Sequence, residues 1–165
     1  FDYLPQNGTV FVHLYNNMWN TNFPYWIDGS WGASVCLWSV GKGATIAESL
    51  AVKSWETRLP LLAAAANGPA GTLPKKQAGL SLSRKGVLVT AFGSDPDGHA
   101  GTLLRLWEQA GASGLVTVTF PSGATFKTAT PVTLRGEHTD APIAITNGKL
   151  SLVLKAYAPA SFMLQ

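Results

Sequence analysis

Apolar and polar positions alternate in short runs along this chain. In Leu115-Val116-Thr117-Val118-Thr119-Phe120, Val116, Val118 and Phe120 fall on one face and the two threonines on the other. That period of two is the pattern of a half-buried antiparallel strand. Leu150, Leu152 and Leu154 repeat it against Ser151 and Val153. Strand-like runs of this kind, short and rich in β-branched or aromatic residues, are predicted at 9–14, 33–38, 48–55, 80–83, 87–92, 102–108, 115–120, 143–146 and 150–154.

The connections agree. Asn147-Gly148 stands between two of these runs and predicts a type I′ hairpin, which needs positive φ at both positions. Asp95-Pro96-Asp97-Gly98 predicts a tight turn joining 87–92 to 102–108. Many short strands joined by such turns give an all-β fold, an antiparallel β-sandwich or two small packed ones. The Ala-rich stretch at 59–66 is the one candidate helix, and 67–79, rich in Gly, Pro and Lys, reads as a linker or long loop. The expected organisation is therefore strands with an Asn/aromatic loop over 1–66, the linker over 67–79 and a terminal β-sandwich over 80–165.

Composition narrows the chemistry. Hydrophobic residues make up 46% of the 165, enough for a sizeable core, and charged residues only 13%. The net charge of +3 comes from scattered residues with no basic run beyond pairs, so nucleic acid is not an expected partner. No apolar segment reaches the roughly 20 residues that span a bilayer, so no membrane partner is expected either. The lone Cys36, in the run Val35-Cys36-Leu37-Trp38, is expected to be a small buried hydrophobe. The start at Phe1-Asp2-Tyr3, without an initiator Met, is expected of a piece of a longer protein.

Catalytic groups are sparse. His13, His99 and His138 do not stand at the spacing of a zinc-binding helix pair, and no G-x-S-x-G elbow is present. Asp95, Asp97 and His99 alternate within one loop, but turn chemistry accounts for two of them, and no metal site is expected in this chain. Glu108 is expected to partner Arg105 or Arg135.

The densest feature is Tyr15-Asn16-Asn17-Met18-Trp19-Asn20-Thr21-Asn22-Phe23-Pro24-Tyr25-Trp26, where four asparagines interleave with five aromatic rings. Ring faces stack on the apolar side of a pyranose, and amides both donate to and accept from its hydroxyls. Trp19, Asn20, Asn22, Tyr25 and Trp26 are thus the candidate carbohydrate contacts; the other reading is that the asparagines cap turns and the rings plug one end of a sandwich.

The same stretch resembles the "Y-x-N-x-W-x-T-N-F" segment in the C-terminal half of glycoside hydrolase family 38, the α-mannosidases, and related glycosyl hydrolases. Val87-Leu88-Val89-Thr90-Ala91-Phe92, then Asp97-Gly98, then Leu103-Leu104-Arg105-Leu106-Trp107-Glu108 resemble the family's terminal β-sandwich, in which "V-x-x-T-A-x-K" leads through an acidic Gly turn into "I-x-R-x-x-E". The closing run, with Ala156-Tyr157-Ala158-Pro159-Ala160-Ser161-Phe162, is similar to its last strands. The likeness spans most of the chain in the family's order, with Phe92 and Gly93 in place of the Lys region. It implies a C-terminal accessory β-sandwich of a mannosidase-like glycosyl hydrolase, not catalytic alone, whose partners are the N-terminal catalytic domain of the same polypeptide and the glycan substrate. The zinc and catalytic aspartates of such an enzyme would lie in that N-terminal domain, so no cofactor is expected here. The residues by themselves leave open an independent carbohydrate-binding module and a purely structural or adhesive sandwich.

Overall fold

A computed structural model describes residues 7–15, 28–42, 46–59, 61–65, 67–69, 71, 72 and 74–165. The chain divides into two compact units, Phe1–Trp38 and Ser39–Gln165. In the first, the described residues form no strand, although 9–14 and 33–38 carry strand-like sequence. Their side chains are exposed, Phe11 by 72% and Leu37 by 89%. Alternation marks a face to bury, but a strand also needs a neighbour to take its N–H and C=O groups, and no ladder reaches these segments. Cys36, expected inside, is exposed as well.

The second unit opens with a helix, α1 (Ile46–Arg58), where a strand was expected over 48–55. Ala47, Glu48, Leu50, Ala51, Lys53 and Glu56 are good helix formers. Glu48 in the first turn and Arg58 in the last complement the helix dipole, and Lys53 Nζ donates to Glu56 at 2.8 Å. The β-branched Val52 and aromatic Trp55 that suggested a strand lie within this helix. Pro60 bars continuation of the helix, and the candidate helix at 59–66 does not form: residues 61–65 are irregular, with Leu61 and Leu62 fully open to solvent. A run that short forms no stable helix without a surface to pack on.

Eight strands follow: β1 (Ser81–Leu82), β2 (Val87–Ser94), β3 (Thr102–Glu108), β4 (Gly114–Thr119), β5 (Thr128–Val132), β6 (Ile143–Ala144), β7 (Lys149–Leu154) and β8 (Pro159–Leu164). They build two wholly antiparallel sheets, β1-β4-β7 and β2-β3-β8-β5-β6. The fold is an antiparallel β-sandwich.

Alternation puts Val116, Val118, Leu150, Leu152 and Leu154 of the smaller sheet against Leu104, Leu106, Phe162 and Leu164 of the larger. Each large apolar side chain removed from water here contributes about 1.5–3 kcal/mol. On the outer face Thr117 and Ser151 sit opposite each other with their hydroxyls 3.0 Å apart. Phe92, Phe120 and Phe126 pack as a trio of tilted and edge-on rings, with centroids 5.3–6.4 Å apart.

The turns form as their sequences require. Asn147 and Gly148 have φ of 51° and 68°, and Thr146 and Lys149 exchange two backbone bonds of 3.0 Å. Gly98 N donates to Asp95 O at 3.1 Å. Two strands fall outside the runs expected from alternation, β5 and β8, and both contain proline. Pro131 is tolerated because the C=O and the missing N–H of one residue face the same side, and its C=O accepts Thr139 N at 3.0 Å from a loop, not from β8. Pro159 takes the first position of β8, where a lost donor costs least.

Candidate functional site

Outward-facing residues of β3 set up the site. With Leu104 and Leu106 in the core, period two turns Arg105 and Trp107 to the outer face of the five-stranded sheet. Trp107 lies between Leu88 of β2 and Pro159 of β8, its register partners on either side. The register slips between Val89 and Ala91, so Thr90 sits in a β-bulge, a device that re-aims side chains. Thr90, Arg105, Trp107 and Pro159, with Trp55 of α1 and Leu134 of the segment after β5, line a cleft of about 310 Å3.

Both β3 residues of the cleft are held. Arg105 Nε donates to Ser161 Oγ at 3.0 Å, and Nη2 donates to the Leu134 carbonyl at 3.2 Å. Thr90 Oγ1 donates to the Arg105 carbonyl at 3.4 Å. Trp107 Nε1 donates to the Tyr157 carbonyl at 3.3 Å, while the indole stays 42% exposed.

Tyr157 is itself fixed from beneath. It is one of two non-glycine residues with positive φ among the described residues, at 58°. Its N–H donates to Glu108 Oε2 at 2.8 Å, and the same carboxylate accepts Ala110 N and Gly111 N, each at 3.0 Å. Glu108 is fully buried. Burial alone would push its carboxyl up, but the backbone N–H groups of Tyr157, Ala112, Ala110 and Gly111 outweigh it and hold the group below the ordinary glutamate value of 4.5. The expected pairing with Arg105 or Arg135 is therefore replaced by backbone amides. Alternation explains why: Glu108 follows Leu104 and Leu106 to the inner face, away from Arg105.

Asp95, Asp97 and His99 form a closed turn. Asp95 Oδ2 accepts the His99 backbone N–H at 3.2 Å and lies 2.5 Å from its Nδ1. The hydrogen bond to His99 keeps the Asp95 carboxyl below its ordinary value of 3.8. Among the described residues no three His, Cys, Asp or Glu side chains converge as a metal ion would require. The candidate contacts Trp19, Asn20, Asn22, Tyr25 and Trp26 lie outside the described residues.

The cleft residues were not singled out from the sequence as a site. The available signal was the strand Thr102–Glu108 itself, where an Arg and a Trp alternate with buried leucines and so must be displayed on the outer surface. Trp55 carries no such signal, because the pattern over 48–55 predicts a strand and the residue lies in α1. No family model, curated protein or solved structure matches the chain.

Chemically, the cleft offers two indoles for an apolar ring face, a guanidinium held by two neutral acceptors and a hydroxyl, on a rigid sheet. That is equipment for binding a ligand with a ring and polar substituents.

Proposed function

We propose that the chain is a non-catalytic accessory β-sandwich of a mannosidase-like glycosyl hydrolase, and that it engages the enzyme's glycan through the outer-face cleft. The observation that carries this reading is Trp107, a large ring left 42% exposed on an interior strand of the five-stranded sheet, with its N–H tied back to Tyr157. An aromatic plane presented at low entropic cost beside hydrogen-bond donors suits the C–H face and hydroxyls of a sugar. The strands that resemble the mannosidase terminal sandwich, β2 and β3, contribute Thr90, Arg105 and Trp107 to the cleft.

The supporting half of the role, packing against a catalytic domain, is favoured by the exposed apolar residues Val10, Phe11, Leu37, Leu61 and Leu62. The test is calorimetric titration of the chain with α-1,2-mannobiose and with digalacturonate, alongside Trp107→Ala. Binding of at least one disaccharide that the variant loses supports the sugar site. No binding of either by the folded wild-type chain overturns it.

A further inference from the structure

Arg105 carries a charge that the fold leaves uncompensated. It is half-buried on the outer face of β3, and the two acceptors that hold it, Ser161 Oγ and the Leu134 carbonyl, are both neutral. Among the described residues no carboxylate forms an ion pair with it. Three acids of the surrounding elements have other partners. Glu108 points to the inner face and is taken by three backbone amides, Asp95 is taken by His99, and Glu56 by Lys53. The rest of the lining, Trp55, Thr90, Trp107, Leu134 and Pro159, contains no charge of either sign.

A charged group partly removed from water is ordinarily matched by an opposite charge. Here the match is left to whatever enters. Nη1 forms no hydrogen bond among the described residues, so one edge of the planar guanidinium remains for a ligand, and that edge fits a carboxylate through two parallel N–H···O bonds. Apolar walls of indole, leucine and proline lower the local dielectric, which strengthens such a pair relative to open water. The two indoles flanking the charge provide for a ring, and a volume of about 310 Å3 lies at the small end of the range for ligand pockets.

Resting on the reading of this cleft as a sugar site, we infer that its ligand is an acidic sugar: a pyranose whose carboxylate pairs with Arg105 while its ring lies against Trp107. Ser161 and Leu134 act as positioning residues, because they fix the guanidinium before the ligand arrives.

The matched probes are methyl β-D-glucuronide and methyl β-D-glucoside, which differ only in oxidation at C6. Titrated calorimetrically into the full chain at low salt, the glucuronide is expected to bind at least tenfold more tightly, with the gap shrinking as salt is raised. Arg105→Gln should bring the glucuronide down to the glucoside's level, and Arg105→Lys should recover only part of the gap, since it keeps the charge but loses the planar fork. Trp107→Ala should weaken both sugars. If Arg105→Gln does not fold, the wild-type comparison and the Lys variant still decide.

Equal binding of the two sugars overturns the acidic preference and leaves the proposed function standing. Binding of neither, together with none of the disaccharides, overturns both. Displacement of the glucuronide by acetate at similar concentration, with no loss in Trp107→Ala, overturns the sugar assignment and leaves a simple anion site.

Discussion

The amide of Tyr157 and the carboxylate of Glu108 meet at 2.8 Å, and through that bond a buried acid at the end of β3 sets an exposed ring on the same strand. Tyr157 passes the constraint on, since its carbonyl accepts the Trp107 indole N–H. Glu108→Ala removes the acceptor for three amides at once and should cost about 3 kcal/mol, whereas Glu108→Gln keeps one acceptor oxygen and should cost about half as much. Urea unfolding gives the stability, and the near-ultraviolet circular dichroism of the folded variants should change as Trp107 loses its anchor. An unchanged midpoint for the Ala variant would exclude the clamp.

The same carboxylate gives the fold an acid dependence. Glu108 and Asp95 both have lowered pKa values in the folded chain. A carboxyl shifted down stabilises the native state above its unfolded pKa, and that contribution is lost as pH falls through the folded one. Urea midpoints should therefore stay level from neutral pH to about 5 and decline below the ordinary values of 4.5 for Glu108 and 3.8 for Asp95. In Glu108→Gln the decline should be shallower and begin lower. A profile with the wild-type slope would place the titration elsewhere.

Two glycines with similar backbone angles should respond differently to alanine. Gly111 has φ of +76° and a Cβ there would land on the Tyr157 hydroxyl, while Gly98 has φ of +81° and open space around it. Gly98→Ala should cost about 1 kcal/mol, the penalty of the left-handed conformation alone. Gly111→Ala should cost about twice that, because Tyr157 must move as well. Thermal denaturation of the two variants side by side distinguishes the cases.

Register in the two sheets can be checked by truncation. Leu104 is wholly buried and Leu115 is 64% exposed. Leu104→Ala should lose about 2–5 kcal/mol by opening a cavity, and Leu115→Ala within about 0.5 kcal/mol. Comparable losses at both positions would mean that the faces are assigned incorrectly.

Much of the sandwich was legible from alternation. β3, β4 and β7 keep their inward residues at strict spacing of two, and Asn147-Gly148 admits few conformations other than the one it takes. Elsewhere the deciding information is non-local. Residues 48–55 carry both helix formers and strand formers, and only packing and the stop at Pro60 separate the outcomes. Residues 9–14 and 33–38 have the composition of strands but no ladder partner. β5 and β8 break the compositional rules for strands because each is stabilised by a neighbour distant in sequence, with Pro131 opposite Phe162. In the cleft, Arg105 and Trp107 were readable as outward-facing, but that Glu108 governs Trp107 through Tyr157 was not, since the link crosses 49 positions of chain.

The short β6 and the proline in β5 also limit how the molecule can associate. At that border of the five-stranded sheet only Ile143 and Ala144 form the outermost strand, and beyond them Pro131 has no amide hydrogen to offer. An incoming chain would find too few consecutive donors there to zip on as a further strand. This border is therefore a poor template for edge-to-edge association with a second chain.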